Sequence, residues 1–328
     1  MIEVKDLSKS FMITKRKSGF LGSVQSLFFT KKDLIHAVDN ITFSIQPGEL
    51  VGYIGQNGAG KSTTIKMLTG ILKPSSGKVS VNGLNPSLDR AKNAFQIGVV
   101  FGQRSQLWMD LPVEESFDLL RSIYKIDKKK YNQKIELFSD LLGINEFIKQ
   151  QARKLSLGQR MKADLAASLL HSPRVLFLDE PTIGLDLLVK EKVRGFIRSI
   201  NENEKVTIIL TTHDIQDIEF LAKRIIIIDK GKIGYDGDIA NFNKMVGNES
   251  YVTVHFQKPV SNLELPDQYI IKEKISDLNY LLKIPDDEPL SKLIEIFQKN
   301  NYSIQEINRE KPELGDAIKK LYQGRTDL

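Results

Sequence analysis

The sequence predicts an α/β domain built on a mainly parallel sheet covered on both faces, followed by a small α+β domain. Three observations carry this reading. Near-continuous apolar strands alternate with helical segments through most of the chain, as expected of parallel strands buried on both sides. A glycine-rich stretch, Gly55-Gln56-Asn57-Gly58-Ala59-Gly60, falls between one such strand and a helix. After about Phe242 the character changes to alternating strands with one amphipathic helix.

Residues 2–11 roughly alternate apolar and polar and read as an edge strand. Residues 37–45 and 49–54 give two more strands around the turn Gln46-Pro47-Gly48, and a helix over 61–69 follows the glycine-rich loop. Pro74, Gly77 and Gly83 punctuate a small β-rich patch, with a further strand at 97–101. Residues 113–148 are mostly helical by the spacing of Phe117, Leu120, Ile123 and Tyr124, then Ile135, Phe138, Leu141 and Leu142. A helix over 156–170 ends before Pro173, and two apolar strands, 174–178 and 206–211, enclose another helix. In the last part, 251–256 and 269–284 alternate like strands, whereas 290–299 and 313–322 are helical. The expected division is 1–243 and 244–328, with no chemical motif in the second domain.

At 328 residues there is room for one sizeable α/β domain and a smaller appendage. The chain has no cysteine, which excludes disulfides and thiolate metal sites, and its four histidines argue against a histidine-rich one. Met1-Ile2-Glu3-Val4-Lys5-Asp6 is mixed in charge and does not read as a signal peptide. No stretch approaches the roughly 18 to 20 apolar residues needed to cross a bilayer, so a cytosolic chain is expected. The net charge is +6, but Lys15, Arg16, Lys17, Lys31 and Lys32 stand in one acid-free segment. A charge excess so confined argues against a nucleic-acid-binding face, and membrane phosphates or an acidic partner loop would suit the segment as well as nucleic acid would.

Gly55-Gln56-Asn57-Gly58-Ala59-Gly60-Lys61-Ser62, continued by Thr63, fits the P-loop pattern in its strand–loop–helix context. Glycines let successive backbone N–H groups curl inward, and the helix N-terminus adds positive potential for phosphates. Lys61 is expected to reach the β- and γ-phosphates of a bound nucleotide, and Ser62 to ligate Mg²⁺. The apolar strand Val175-Leu176-Phe177-Leu178 ends in Asp179-Glu180, at the sheet edge that the loop also occupies. Asp179 is expected to hold Mg²⁺ through water and Glu180 to polarise the attacking water. Thr211-Thr212-His213-Asp214 ends another apolar strand beside the same crevice, so His213 is expected to contact the γ-phosphate, a structural hydrogen-bonding histidine being the alternative.

The P-loop alone leaves a whole superfamily of nucleotide hydrolases open. Leu155-Ser156-Leu157-Gly158-Gln159, about 20 residues before the Asp-Glu pair, resembles the Leu-Ser-Gly-Gly-Gln signature of ATP-binding cassette (ABC) ATPases. Here Leu157 replaces the first glycine, while Ser156 and Gly158 are retained. The resemblance implies that Ser156, Gly158 and Gln159 serve the γ-phosphate held by an opposite subunit, with the helix dipole adding to them. It also implies that Gln103, in Val100-Phe101-Gly102-Gln103, contacts Mg²⁺ and senses a membrane subunit. Gly184-Leu185-Asp186 resembles the D-loop, and His213 the switch histidine. Phe11 is similar in place to the family's adenine-stacking aromatic, a simple core aromatic being the alternative.

Five ordered motifs carry the resemblance over residues 2–243, with a helical subdomain over about 104–172. It implies a head-to-tail dimer, simplest as a homodimer, with two ATP molecules at its interface. Separate transmembrane permease subunits are expected as partners, gripped by the region after Gln103 that contains Trp108, Leu111 and Pro112. The chain is then expected to be peripheral on the cytoplasmic face of the membrane. Residues 12–36 are unusual within the family pattern. There Phe20, Leu21, Val24, Leu27 and Phe28 recur with helical spacing among the lysines, predicting an amphipathic helix against permease or lipid headgroups, a helix packed on its own domain or a disordered loop being the alternative. The order of motifs with a C-terminal α+β appendage resembles ATPases paired with exporter permeases. The alternatives are a soluble ATPase switch acting on ribosomes or DNA, and an ATPase regulated by a ligand of its C-terminal domain.

Overall fold

The computed structural model describes residues 1–14, 32–102, 104–246, 249–285, 288–310 and 314–323. The chain divides into two compact units, Met1–Gly237 and Asp238–Leu328.

In chain order the first unit contains β1 (Ile2–Thr14), β2 (Lys32–Ile45), β3 (Leu50–Ile54), α1 (Lys61–Leu68), β4 (Ser76–Val81), α2 (Arg90–Ala94) and β5 (Ile97–Phe101). Three helices follow: α3 (Val113–Ile123), α4 (Lys128–Leu142) and α5 (Leu157–Leu169). Strand and helix then alternate through β6 (Val175–Asp179), α6 (Leu187–Glu204), β7 (Thr207–Thr211), α7 (Ile215–Leu221) and β8 (Arg224–Asp229), and β9 (Lys232–Asp238) follows, its last residue falling at the division.

The runs Val175-Leu176-Phe177-Leu178 and Ile208-Ile209-Leu210 are fully or almost fully buried, as strands covered on both faces must be. They form a six-stranded sheet in the order β5-β6-β7-β3-β8-β9. The pairs β5–β6, β6–β7, β7–β3 and β3–β8 are all parallel. A second, antiparallel sheet has the order β2-β1-β4. This corrects the expectation for the first strand. Alternation reports one buried face, not a missing neighbour, and β1 lies between β2 and β4.

Helix α1 joins the two sheets. Its Ile65, Met67 and Leu68 are fully buried in one cluster with Ile2, Val4 and Phe43 of the antiparallel sheet and Val51, Phe177 and Ile209 of the parallel sheet. Each such side chain contributes about 1.5–3 kcal/mol, so the helix that begins at Lys61 is firmly fixed.

The helical stretch expected over 113–148 holds α3 and α4. Lys125 takes a positive φ of 53°, and Asp127 caps α4 by accepting from the backbone N–H groups of Lys129 and Lys130. The sequence-expected amphipathic helix of the 12–36 insertion falls on residues 15–31, outside the described residues. Its flanks extend β1 and β2 as an antiparallel ribbon, with Phe11 opposite Ile35 and Met12 opposite Leu34.

The second unit holds α8 (Ile239–Val246), β10 (Glu249–Phe256), β11 (Ile270–Lys274), β12 (Asn279–Pro285), α9 (Leu290–Lys299), β13 (Ile304–Glu310) and α10 (Leu314–Gln323). Its sheet runs β11-β12-β10-β13, antiparallel throughout. Leu293 and Phe297 of α9 pack on it, and Phe256 meets Tyr280, Phe297 and Tyr302 ring to ring. Among the described residues of the whole chain, no helix is long and apolar enough to cross a membrane.

Candidate functional site

Strand register brings the candidate residues together. Tyr53 of β3 is level with Thr211 of β7, Thr211 with Asp179 of β6, and Asp179 with Phe101 of β5. Every segment that leaves these strand ends therefore emerges at one edge of the sheet. Gly55 follows Tyr53 by two residues, Glu180 follows Asp179, and His213 follows Thr211 by two. This is the carboxyl edge, where open α/β sheets hold their ligands.

The loop wraps an open cleft of about 560 Å³ that Ala37, Thr63, Glu180, Ile183 and His213 also line. Glycine is required at two of its positions. At Gly55 a Cβ would lie 2.5 Å from the Ile228 carbonyl oxygen, and at Gly60, with φ +113°, 2.5 Å from that of Ala37. Lys61 is 7% exposed, and its ammonium donates to the carbonyls of Gly55 at 2.6 Å and Gln56 at 3.2 Å. Burial lowers its pKa, while the charges of Glu180 and Asp179 act in the opposite direction. Behind the loop the fully buried Tyr53 hydroxyl donates to Thr64, which in turn donates to the Gly60 carbonyl.

Two pairs of side chains complete the edge. Ser62 Oγ donates to Asp179 Oδ1 at 3.2 Å, and Thr211 Oγ1 donates to the same oxygen at 2.6 Å. Glu180 Oε2 stands 2.5 Å from His213 Nδ1, with the histidine side chain 59% exposed and the glutamate 19%. Glu180 has a positive φ of 59°, a conformation that costs a non-glycine residue about 1–3 kcal/mol. Its backbone N–H is held by the Thr211 carbonyl at 3.0 Å. Gly102 N–H donates to the Asp179 carbonyl at 2.8 Å. A Cβ on Gly102 would stand 2.4 Å from the Glu180 carbonyl oxygen. Gln103, the next residue, lies outside the described residues.

Among the described residues no cluster of three or more His, Asp or Glu forms a metal site. The Ser62–Asp179 pair nevertheless fits Mg²⁺. It is an all-oxygen donor set beside a phosphate-binding loop, and this ion keeps several waters and takes only one or two protein groups.

Ser156, Gly158, Gln159 and Asp186 do not line the cleft. They form a second group. Ser156 caps α5 by accepting from the Gln159 backbone N–H at 3.2 Å, and the Gln159 side chain accepts in return from Ser156 N–H at 3.0 Å. Asp186 caps α6, accepting from Val189 N–H at 2.9 Å. The two caps touch: a Cβ on Gly158 would lie 3.0 Å from Val189 Cγ1, and one on Gly184 3.0 Å from Leu157 Cδ2. Phe11 is 40% exposed with the Lys9 ammonium 5.3 Å from its ring, so it is not the core aromatic of the alternative reading.

Sequence reasoning missed Thr211, Gly102 and the buried Asp217 with its partners Thr182, Thr212 and Arg194. The adjacent Thr211-Thr212 at the end of an apolar strand was the available signal for the first. For Gly102 and Asp217 the environment appears only once the strand ends are aligned.

A parallel sheet with this loop and these two acid pairs at its carboxyl edge defines a P-loop nucleotide hydrolase. The ABC transporter family profile matches residues 38–183. An ABC transporter ATP-binding protein of Clostridium acetobutylicum is 30% identical over 231 residues, which cover 69% of this chain and 83% of that one. NatA of Bacillus subtilis, also an ABC transporter ATP-binding protein, is 29% identical over 236 residues, 72% of this chain and 96% of that one. ABC transporter A family member 7 of Dictyostelium discoideum is 31% identical over 299 residues, 87% of this chain and only 35% of that longer protein. The solved dimeric post-hydrolysis state of the ATP-binding cassette MJ0796 with ADP and Pi superposes with TM-score 0.60 at 25% identity, over 73% of this chain and 98% of that one.

The chain belongs to the ABC transporter family, and its cassette is an ATP-binding, ATP-hydrolysing domain.

Proposed function

We propose that the chain is the motor of an export transporter whose membrane-spanning subunits are separate polypeptides. The observation that carries its chemistry is the meeting of Lys61, the Ser62–Asp179 pair and the Glu180–His213 pair around one cleft.

In this reading the backbone N–H groups from Gly55, Gln56, Asn57, Gly58, Ala59 and Gly60, with Lys61 and Thr63, cradle the phosphates of ATP. Ser62 and Asp179, joined by Gln103, hold Mg²⁺, whose charge when bound neutralises the phosphate oxygens. Glu180 orients the attacking water. His213 and Lys61 stabilise charge on the transferring phosphoryl group, donors already placed where charge develops. Phe11, exposed on the strand paired with that of Ala37, stacks on adenine. Ser156, Gly158, Gln159 and Asp186, standing outside the cleft, serve the nucleotide of a second cassette, most simply an identical chain.

Export is favoured by the motif order and by YbhF of Escherichia coli, a relative named for multidrug transport and 35% identical over 197 residues. Those residues are 60% of this chain and 34% of YbhF. The partner surface we assign to the segment after Gln103, where Trp108 and Met109 are 41% and 38% exposed. Docked there, the chain is peripheral on the cytoplasmic face of the membrane. The C-terminal unit is an accessory regulatory or dimerisation domain.

The test is light scattering and turnover of Glu180→Gln with Mg²⁺ and ATP. The proposal expects retained ATP and a stable dimer with hydrolysis lost. Turnover within severalfold of wild type would assign the base elsewhere.

A further inference from the structure

Behind the Glu180–His213 pair lies a carboxylate that the proposed chemistry does not use. Asp217 is on α7, four residues after His213, and is 0% exposed. Its Oδ1 accepts from Arg194 Nε at 2.5 Å. Its Oδ2 accepts from Thr212 Oγ1 at 3.1 Å and from Thr182 Oγ1. The three donors come from three segments. Thr182 is two residues past Glu180, Thr212 immediately precedes His213, and Arg194 is on α6, the helix that Asp186 caps.

A second contact runs beside the first. Asp214 caps α7 through Gln216 N–H and pairs with Lys190 of α6 at 2.7 Å, while Arg194 Nη2 stands 3.6 Å away. Burial pushes the Asp214 carboxyl up, but the Lys190 hydrogen bond and charge outweigh it and hold it below the ordinary range. Two acids thus face two bases, and α6 is tied twice to the segment that carries His213.

His213 is largely exposed and Glu180 sits on strained backbone, so their 2.5 Å approach depends on where their two loops are held. We propose that Asp217 is a positioning residue: it clamps the Glu180 and His213 loops together and ties both to the position of α6. This rests on the reading of Glu180 and His213 as hydrolytic groups. A displacement of about 1 Å at such a pair is worth on the order of 100-fold in rate. The neutral isostere therefore lowers turnover more than it lowers binding.

The experiment measures kcat, KM and equilibrium binding of a fluorescent ATP analogue for Asp217→Asn, Asp217→Glu and Thr182→Val, with Asp217→Asn repeated in the Glu180→Gln background. The expected result is a 10- to 100-fold loss of kcat in Asp217→Asn with binding within about twofold, partial recovery in Asp217→Glu, and little further loss in the double variant, because residues acting as a unit are non-additive. Thr182→Val, which removes a single donor, carries the same test if Asp217→Asn does not fold. Unchanged kcat in Asp217→Asn and Thr182→Val, or equal loss with and without the Glu180 carboxylate, overturns the proposal. Wild-type turnover in Glu180→Gln alone would instead overturn the hydrolytic reading beneath it.

Discussion

His213 Nδ1 lies 2.5 Å from Glu180 Oε2, across 33 positions of sequence, because their strands end level in a parallel sheet. The contact joins the His213 ring to the Glu180 carboxyl, so Glu180 fixes the ring. Replacing His213 with alanine removes this contact without touching the phosphate loop. Turnover should fall by about 100-fold or more while ATP affinity changes little. Steady-state hydrolysis alongside equilibrium nucleotide binding checks both halves.

Gly102 has no room for a methyl group, since a Cβ there would stand 2.4 Å from the backbone oxygen of Glu180. Backbone cannot swing aside as a side-chain tip can. Gly102→Ala should displace Glu180 and lower kcat at least tenfold, a sub-ångström effect. The same kinetic assay with a thermal-unfolding control separates this from simple loss of fold.

Leu157 stands where the family's signature carries glycine, yet it is 45% exposed and its side chain meets Gly184. Its contact is packing at a surface between two caps. Leu157→Gly, at the first residue of α5, should keep turnover within severalfold and lower stability by no more than the about 1 kcal/mol that glycine costs in a helix interior. Denaturant titration measures the second effect directly.

Asp164 on α5 is 5% exposed and accepts from Ser105 Oγ and Gln106 N–H, each at 2.9 Å. Burial pushes its carboxyl up to about 6, against the pull of those two hydrogen bonds and Arg160. An acid with a raised folded pKa binds more protons in the native state than unfolded. Its contribution therefore favours the fold at low pH and is lost as pH rises from about 4 to 6. Asp164→Asn keeps an acceptor without the charge, so its stability relative to wild type should grow over that interval, by up to roughly 3 kcal/mol. Urea unfolding of both proteins at pH 4, 5, 6 and 7 gives the difference.

Local patterns made much of this legible. The phosphate loop is a contiguous motif, the helix at Leu290–Lys299 follows from its amphipathic spacing, and Asp179-Glu180 ends an unmistakable apolar run. Neighbour relations were not legible. The alternation of β1 could not say that strands flank it on both sides. Gly102 and Asp217 owe their surroundings to strands and helices distant in sequence, and only the sheet order joins them.

The most direct test of the motor account is recovery of tagged Glu180→Gln chain, with ATP, from detergent-solubilised membranes of its own host. The account predicts a stoichiometric polytopic partner without a cassette of its own, released when Trp108 and Met109 are both replaced by aspartate. Recovery of the chain alone, or only with ribosomal or DNA-associated proteins, would contradict it.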